Sequence, residues 1–316
     1  MFDVVALGES LIDFTPSGYN NAGNMLFARN PGGAPANVLA MNSKLGGKTA
    51  FIGMVGRDDF GEFLSQTMKK AGIDCRGLRY SDSIPTTLAF VHLNNKGDRS
   101  FSFYRKPGAD IMLTWDDVDK TLLENCRIFH FGGVSLTDEP VCTATFEAVK
   151  FAKKHGALIS YDPNYRPLLW ESEETAIQHL KRMLEYTDIL KVSQEEMEML
   201  TGENSVEKGA EILYNCGISV VTVTLGPDGA YYYTKGGRGF SKAFPVKTID
   251  TTGAGDAFLG TLHYYLSGKS LDEINSLDDV KWQHIMKLCN AAGSLTTTAY
   301  GAIPAMPGMK EIQECI

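Results

Sequence analysis

The stretch "DTTGAGDAF", residues 250–258, places two glycines and an aspartate where a strand is predicted to end and a helix to begin. It follows the alternating run "FPVKTI" (244–249), which predicts a strand, and precedes the apolar run "LGTLHYYL" (259–266), which predicts a helix. The first turn of a helix carries unpaired N–H groups at the positive end of the helix dipole. Glycines at that point leave the backbone bare, so a phosphate can approach these donors closely.

Asp256 lies in the first turn of this predicted helix, next to the anion site that Gly253 and Gly255 would offer. A carboxylate there repels a phosphate, unless its task is to accept a proton from a hydroxyl that attacks the terminal phosphate. The alternative is that Thr251 or Thr252 caps the helix and Asp256 only complements the dipole. The spacing alone does not decide between these two interpretations.

Composition and charge exclude several classes of protein. Of the 316 residues, 43% are hydrophobic and 22% are charged, which is typical of globular proteins. The formal net charge of −8 argues against a nucleic-acid surface, although not against one bound nucleotide. The six cysteines form no C-x-x-C pair, which favours a reducing compartment over a zinc site or a disulfide framework. With no basic leader and no run of about 18 apolar residues, we expect a cytoplasmic protein that does not bind a membrane.

Short apolar runs alternate with helical patterns along most of the chain. Examples are "DVVALGE" (3–9) and "KTAFIGMVG" (48–56) for strands, and "APANVLAMNSKLG" (34–46) for a helix. Strands that alternate with helices over this length predict an α/β fold. We therefore expect a mainly parallel central sheet with helices on both faces.

Two segments break this alternation. Residues 86–113 contain two strand-like runs around the polar turn "NNKGD" (94–98), which predicts a β-hairpin. Residues 12–33 are also extended and rich in turn-forming residues. We expect these two segments to form a small sheet that projects from a single domain spanning residues 1–316.

A second glycine-rich stretch, "NPGGAPANVLAMNSKLG" (30–46), places Gly32 and Gly33 directly before a predicted helix, with Asn37 in its first turn. Bare backbone beside an amide suits close contact with a polyhydroxylated ligand. The alternative is an ordinary tight turn. Asp13 follows the first strand and could accept hydrogen bonds from sugar hydroxyls, although alone it fits an ordinary loop aspartate.

Together, "PGGAPANV" (31–38) and "DTTGAGDAF" resemble the two signature motifs of the PfkB/ribokinase family of carbohydrate kinases, and the second motif is highly specific. The resemblance covers the whole chain, from "ALGESLIDF" (6–14) to "YGAIPAMP" (300–307). "DPNYRPLLW" (162–170) and "LKVSQEEMEMLTG" (190–202) look most like the fructokinases of the family. The resemblance implies a ribokinase-like fold in which the small sheet is a lid over the site.

The resemblance also implies a role for each matching residue. Asp256 would be the catalytic base, and the backbone N–H groups of Gly253, Ala254 and Gly255 would form an anion hole. The sugar-binding residues would be Asp13, Gly32, Gly33, Asn37, Phe101, Phe103, Arg105 and Arg166. The nucleotide-binding residues would be Lys191, Ser193, Thr224, Gly226, Gly229 and Asn290. The ligands of a monovalent cation, expected to be K⁺, would be Asp250, Thr252, Thr296, Ala299, Gly301 and Ala305.

One motif departs from the family pattern. The N-x-x-E motif that organises Mg²⁺ through water appears here as "SQEE" (193–196), in which serine replaces asparagine at position 193. Glu196 is kept, and the resemblance implies that it is the residue linked to Mg²⁺. The implied cofactors are therefore ATP, Mg²⁺ and K⁺. The hairpin at 86–113 has apolar residues that a two-stranded ribbon cannot bury alone, which predicts a homodimer formed through the lid.

The activity implied by the resemblance is transfer of the ATP γ-phosphate to the 6-hydroxyl of D-fructose. One alternative is 2-keto-3-deoxygluconate kinase, in which Arg105 and Arg166 would bind the substrate carboxylate. Ribokinase is a further alternative. A non-catalytic sugar-binding protein on the kinase fold is the alternative of a different class, and it is disfavoured because Asp256, Gly253 and Gly255 are all present.

Overall fold

The computed structural model describes residues 1–93 and 99–316. In chain order, its strands are β1 (Phe2–Leu7), β2 (Leu11–Tyr19), β3 (Met25–Gly32), β4 (Thr49–Gly56), β5 (Ile73–Ser81), β6 (Leu88–Leu93), β7 (Arg99–Tyr104), β8 (Cys126–Gly132), β9 (Leu158–Asp162), β10 (Ile189–Ser193), β11 (Val220–Thr224), β12 (Ala230–Thr234) and β13 (Gly237–Ser241). Its α-helices are α1 (Ala34–Lys44), α2 (Asp59–Lys70), α3 (Lys120–Glu124), α4 (Val141–Lys154), α5 (Glu173–Arg182), α6 (Gln194–Thr201), α7 (Val206–Asn215), α8 (Ala254–Leu266), α9 (Leu271–Asn275), α10 (Asp279–Thr296) and α11 (Met309–Cys315).

The larger sheet has the strand order β13-β12-β11-β10-β9-β8-β1-β4-β5. Its strands from β11 to β5 pair in parallel, and β12 and β13 are antiparallel additions at one edge. Alternate residues of β1 point to opposite faces: Val4 and Ala6 enter one core, and Val5 and Leu7 enter the other. Helices α1, α2, α8 and α10 cover the first face, and α4, α5, α6 and α7 cover the second. The predicted α/β fold is confirmed.

The strand predicted at residues 244–249 is wrong. These residues form no strand, because the backbone there bonds to the end of α10 and not to a neighbouring strand. The N–H of Phe244 donates to the hydroxyl of Ser294 at 3.2 Å, and the N–H of Ile249 donates to the carbonyl of Thr297 at 2.8 Å. Phe244 and Val246 are half-buried and the other four residues are exposed, so an alternating pattern can reflect partial packing of a loop as well as a sheet position.

The smaller sheet, called the lid sheet below, has the order β3-β2-β6-β7. It confirms that the two irregular segments come together; the predicted turn at 94–98 lies outside the described residues. The rings of Phe14 and Phe90 stack within the sheet at 4.8 Å between centroids. Phe14 also contacts Phe60 of α2 edge-on at 5.8 Å, and the Arg29 guanidinium lies 3.9 Å from the centre of the Phe63 ring. The lid sheet therefore rests on α2.

Helices α1 and α8 pack closely because Gly260 has no side chain. A Cβ at this position would lie 2.5 Å from the carbonyl oxygen of Val38 and 2.7 Å from Cβ of Met41. The Asn42 side chain of α1 donates a hydrogen bond of 3.3 Å to the carbonyl of Gly260. This crossing brings the first turns of the two helices to the same edge of the central sheet. In the part of the chain that the structure describes, no helix is long and apolar enough to span a membrane.

We predict that Gly260→Ala lowers the free energy of unfolding by up to about 2 kcal/mol. The added methyl group forces α1 and α8 apart at a cost of about 1–3 kcal/mol, and the helix propensity of alanine offsets about 1 kcal/mol of that cost. Denaturant titration measures the difference. The matched control is Gly268→Ala, since a Cβ at Gly268 meets no atom within 4 Å. Equal stabilities of the two variants would contradict the close crossing.

Candidate active site

A cavity of about 1110 Å³ lies between the lid sheet and the carboxyl ends of the parallel strands. It brings together residues that are far apart in the sequence. The expected site residues that line it are Asp13, Gly33, Asn37, Phe103, Arg166, Lys191, Ser193, Glu196, Asp250, Thr252, Gly253, Gly255, Asp256 and Gly301. Both glycine-rich stretches therefore face one cavity.

The start of α8 is not capped by a side chain. Its N-cap is Gly253, in the left-handed conformation with a φ of 80°, so the interpretation of Thr251 or Thr252 as the cap is wrong. The Thr252 backbone N–H and hydroxyl instead donate to Asp250 Oδ1, at 3.0 and 2.7 Å. A Cβ at Gly253 would also lie 2.5 Å from Cβ of Ala302. The N–H groups at this helix start can therefore meet an anion.

Asp256 is 9% exposed and lies in the first turn of α8. Its Oδ2 accepts a hydrogen bond of 2.8 Å from Asn37 Nδ2, which joins α8 to the first turn of α1. The pKa of Asp256 is raised to about 6, mainly by burial and in smaller part by Asp162, while the Asn37 hydrogen bond and the positive Lys191 and Arg166 oppose the rise. A buried carboxylate with such a pKa is ionised near neutral pH and can accept a proton from a bound hydroxyl.

Asp13 of β2 lines the same end of the cavity as Asp256. Burial raises its pKa to about 6, and the carboxylates of Asp250 and Asp256 contribute, while Arg166 acts in the opposite direction. A Cβ at Gly32 would lie 2.2 Å from Oδ2 of Asp13, so the glycine makes room for this carboxylate. Gly32 itself does not line the cavity and supports the site from behind.

Of the two arginines expected to bind the sugar, Arg166 and Arg105, only Arg166 lines the cavity. Arg166 is exposed and lines the cavity. Arg105 does not line it, contrary to expectation: it is 3% exposed, and its Nε donates to Asp110 Oδ2 at 2.7 Å. The reason is that the chain turns back into the main body after β7. Phe103 lines the cavity, and the side chain of Phe101 lies outside the described part of the structure.

Lys191 of β10 is a buried cation next to the anion site. Its Nζ lies 2.7 Å from Oδ2 of Asp162, and a Cβ at Gly255 would lie 3.1 Å from the same nitrogen. Burial disfavours its charge, but Asp162 and Glu196 outweigh burial and raise the pKa of Lys191. Asp162 was not among the sequence candidates. It could have been identified from the sequence as a carboxylate at the end of a buried strand.

Ser193 and Glu196 form a capping box at the start of α6. Ser193 Oγ accepts from the Glu196 N–H at 3.1 Å, and Glu196 Oε2 accepts from the Ser193 N–H at 2.7 Å. Glu196 Oε1 also accepts from the N–H of Tyr165 at 2.7 Å. The pattern S-x-x-E is a sequence signal for such a box and explains why serine fits at position 193.

No cluster of three or more His, Cys, Asp or Glu side chains that could hold a metal ion occurs in the described ranges 1–93 and 99–316. A divalent cation here would therefore take few protein ligands, which suits Mg²⁺ bound mainly by phosphate oxygens and water. Glu196 fits that role, because it lines the cavity and a carboxylate has further lone pairs.

Four residues expected for the nucleotide lie beyond this cavity: Thr224, Gly226, Gly229 and Asn290. Asn290 Nδ2 donates to the carbonyl oxygens of Ser241 and Lys242, at 2.8 and 3.3 Å. It thereby holds the loop that follows β13. Thr224 of β11 pairs with Ser193 of β10, and Gly229 lies against the same loop as Asn290, since a Cβ there would lie 2.1 Å from the Ser241 carbonyl oxygen.

The residues expected for a monovalent cation are partly brought together. The N–H of Gly301 donates to Asp250 Oδ2 at 3.1 Å, so the loops that carry Asp250, Thr252 and Gly301 meet. Thr296 is fully buried, and its hydroxyl donates to the carbonyl of Ala292 at 2.8 Å. The other expected positions, Ala254 of the anion hole and Ala299 and Ala305 of the cation set, do not line the cavity.

Glu9 lines the cavity but was not among the sequence candidates. It is 5% exposed, and its Oε1 accepts a hydrogen bond of 2.9 Å from the N–H of Ala34, the first residue of α1. Gly33, at a φ of 113°, packs against it, since a Cβ there would lie 2.4 Å from the Glu9 carbonyl oxygen. Burial raises the pKa of Glu9 to about 7. A cap supplied from a distant strand end has no local sequence signal.

Comparisons with known proteins agree with this geometry. Residues 1–309 match the model of the pfkB family carbohydrate kinases. Fructokinase-2 of Solanum lycopersicum is 42% identical over 312 residues, which cover 98% of this chain and 94% of that protein.

Solved structures show the same similarity. A fructokinase from Xylella fastidiosa with bound ATP superimposes with a TM-score of 0.91 at 31% identity, and covers 100% of this chain and 98% of its own. A double mutant of fructokinase from Vibrio cholerae O395, in a form with fructose, ADP and potassium ion bound, superimposes with a TM-score of 0.87 at 33% identity, and the match covers 99% of this chain and 97% of that chain. The family match over almost the full length, joined to an uncapped helix start beside a buried carboxylate, establishes that this chain belongs to the pfkB family of carbohydrate kinases.

Proposed function

We propose that this protein is a fructokinase that transfers the γ-phosphate of ATP to the 6-hydroxyl of D-fructose. One observation carries the proposal: the carboxylate of Asp256 is buried next to the uncapped start of α8, in the cavity that both glycine-rich stretches line. The relatives named fructokinases, and the neighbouring structures with ATP or with fructose and ADP, support the choice of substrates.

The chemistry follows from this arrangement. Asp256 accepts the proton of the sugar hydroxyl as that oxygen bonds to the γ-phosphorus, and the bond from phosphorus to the departing ADP oxygen breaks. The backbone N–H groups at residues 253–255 and the Lys191 ammonium stabilise the negative charge on the transferred group. Mg²⁺, held by phosphates and by water on Glu196, would neutralise further charge. Asn37 orients the carboxylate throughout.

The charges at the sugar end favour a neutral substrate. Asp13 and Asp256, whose pKa values of about 6 leave them ionised near neutral pH, lie there, and a substrate carboxylate beside them would be repelled. Arg105, the second cation that an acid sugar would need, is already committed to Asp110. The same argument disfavours 2-keto-3-deoxygluconate, whereas it does not distinguish D-fructose from D-ribose.

We also propose that K⁺ binds near the anion hole, at the loops of Asp250, Thr252 and Gly301. Potassium in the fructokinase structure from Vibrio cholerae supports this, as does the hydrogen bond that joins these loops. Activity assayed with K⁺ and with a bulky organic cation tests it, and equal rates would contradict it.

A homodimer through the lid sheet is a further part of the proposal. Tyr19, Met25, Leu26 and Tyr104 of this sheet are 44–68% exposed, so the sheet presents apolar area that a second copy could cover. Light scattering at micromolar concentration tests this, and a strictly monomeric species would contradict it.

We predict that Asp256→Asn lowers kcat by about 10²–10⁴-fold, the usual contribution of base catalysis, because the amide keeps the shape but cannot take the proton. Dissociation constants for D-fructose and for a nonhydrolysable ATP analogue, measured by calorimetry, are expected to stay close to those of the wild type. Turnover within tenfold of the wild type would rule out Asp256 as the base. Activity absent from the wild type with every sugar tested would favour the non-catalytic sugar-binding alternative.

We predict that kcat/KM for D-fructose falls as the pH drops through about 6, because Asp256 must be ionised and its pKa is raised to about 6. Asn37→Ala removes a hydrogen bond that lowers this pKa, so the acidic limb should move to higher pH. The control is Asn42→Ala on the same helix. Asn42 donates to the carbonyl of Gly260 and not to Asp256, so this variant should leave the acidic limb at the wild-type pH. An acidic limb at the same pH in Asn37→Ala and in the wild type would contradict the assignment.

We predict that kcat/KM for D-fructose exceeds that for 2-keto-3-deoxygluconate by at least about tenfold, equal to about 1.4 kcal/mol of transition-state preference. A site that pairs specific hydroxyls rejects analogues that leave its polar groups unpaired. Coupled assays on the two substrates, with D-ribose as a third, measure the preference. A higher kcat/KM for the keto acid would make Arg166 a carboxylate ligand and would overturn the choice of sugar.

A further inference from the structure

A single carboxylate joins the start of β6 to the end of β7, which lie side by side in this antiparallel strand pair. Thr87 directly precedes β6, and Arg105 directly follows β7. The Thr87 hydroxyl donates to Oδ1 of Asp110, and Arg105 Nε donates to Oδ2 of the same side chain at 2.7 Å. All three residues are at most 4% exposed. We call Thr87, Arg105 and Asp110 the root clasp.

The root clasp is fixed to the main body by further contacts of Arg105. Its Nη1 donates to the Thr137 hydroxyl at 2.7 Å and to Asp138 Oδ2 at 3.3 Å, and its Nη2 donates to the carbonyl of Val134 at 3.1 Å. Val134 itself lines the cavity. The guanidinium therefore spans the short distance between the end of the lid sheet and the cavity wall.

The backbone around the clasp is equally tight. A Cβ at Gly108 would lie 1.8 Å from the Thr87 hydroxyl oxygen, so only glycine lets the chain return there. The N–H of Ala109 donates to the carbonyl of Pro85 at 2.9 Å, and the N–H of Ile12 in β2 donates to the carbonyl of Thr87 at 3.1 Å. The clasp thus connects both halves of the lid sheet to the main body.

Two residues carried by this strand pair line the cavity. Phe103 lies two positions before Arg105 and pairs with Ala89, and Val91 lies two positions beyond Ala89 on the same face. Both Phe103 and Val91 line the cavity, and Asp13 of β2 pairs with the same Ala89. A small tilt at the root would move both side chains relative to a bound sugar.

We propose that Asp110 and Arg105 are positioning residues that set the angle of the β6–β7 pair, and with it the fit of Phe103 and Val91 to the sugar. The proposal rests on the proposed function for its kinetic readout. A buried charge pair suits this task, because breaking it leaves an unpaired charge that the protein cannot easily accommodate. The role differs from direct sugar binding by Arg105, which the sequence resemblance implied.

The test uses Asp110→Asn, Arg105→Lys and the double variant of the full-length protein. Steady-state kinetics give KM for D-fructose and for ATP, and amide hydrogen exchange without substrate reports on residues 88–93 and 99–104. Thr87→Val removes one hydroxyl of the clasp and keeps the ion pair, so it serves as a mild variant if the others fail to fold. The control is Asp74→Asn, which breaks an ion pair of 2.6 Å with Arg76 at a partly exposed site on β5.

The clasp predicts that both single variants raise KM for D-fructose at least about tenfold, because displacing a positioning group by about 1 Å can cost as much as about 10²-fold. KM for ATP should change less than about threefold, exchange in both strands should accelerate, and the double variant should be no worse than the worse single one, since coupled effects do not add. Thr87→Val should change KM and exchange in the same directions by smaller factors, and Asp74→Asn should change neither.

Three outcomes would overturn the proposal. If only Arg105→Lys raises KM and exchange is unchanged, Arg105 is a sugar ligand and not a positioning residue. If both variants only lower the unfolding midpoint, with wild-type KM and exchange, the pair is purely structural. If Thr87→Val alone can be purified and matches the wild type in both readouts, the clasp does not set the strand angle. Exchange does not depend on turnover, so a failure of the proposed activity would be seen separately as an inactive wild type.

Discussion

The hydrogen bond from Asn37 to Asp256 is the interaction on which the site depends. It joins the first turns of α1 and α8, which carry the two glycine-rich stretches and stand 219 positions apart in the sequence at this contact. The contact requires that the two helices cross closely, and the bare backbone of Gly260 permits this. It also orients the carboxylate and holds its pKa below the value that burial alone would give. The packing of α1 against α8 thus determines the position and the pKa of the Asp256 carboxylate.

Both helices begin in the same unusual way. Gly253 starts α8 and Gly33 starts α1, and neither helix is capped by its own N-cap side chain. The α1 start takes a carboxylate from Glu9. At the start of α8, the Ala254 N–H donates to the Thr251 carbonyl at 3.3 Å, and the N–H groups of Gly253 and Gly255 are left to meet a ligand. The cavity wall thus presents backbone N–H groups and the Lys191 ammonium near the start of α8, and the side chains of Glu9 and Asp13 near the start of α1. We propose that the first group binds the phosphate chain and the second binds the sugar.

Much of the fold and part of the site could be predicted from the sequence, for a physical reason. The parallel strands are buried on both faces, so their apolar runs are evident without any tertiary knowledge. The residues at 244–249 show the limit, because alternation of apolar and polar residues does not tell whether the backbone bonds to a neighbouring strand or, as here, to the end of α10. Arg105 shows a second limit: an alternating strand predicts which way a side chain points, but not that Asp110 lies there to bind it. Glu9 could not be predicted, because it caps α1 from a distant strand end, whereas Asp162 has a sequence signal in its place at the end of the buried strand β9.

The central claim is that the attacking hydroxyl and the transferred phosphate meet between Asp256 and the start of α8. A crystal structure with D-fructose and a nonhydrolysable ATP analogue tests it most directly. We expect the 6-hydroxyl oxygen to lie about 2.6–3.2 Å from a carboxylate oxygen of Asp256, the reach of a general base. We also expect the terminal phosphate to accept hydrogen bonds from the N–H groups of residues 253–255. A sugar whose 6-hydroxyl lies away from Asp256, or a terminal phosphate bound elsewhere in the cavity, would contradict it.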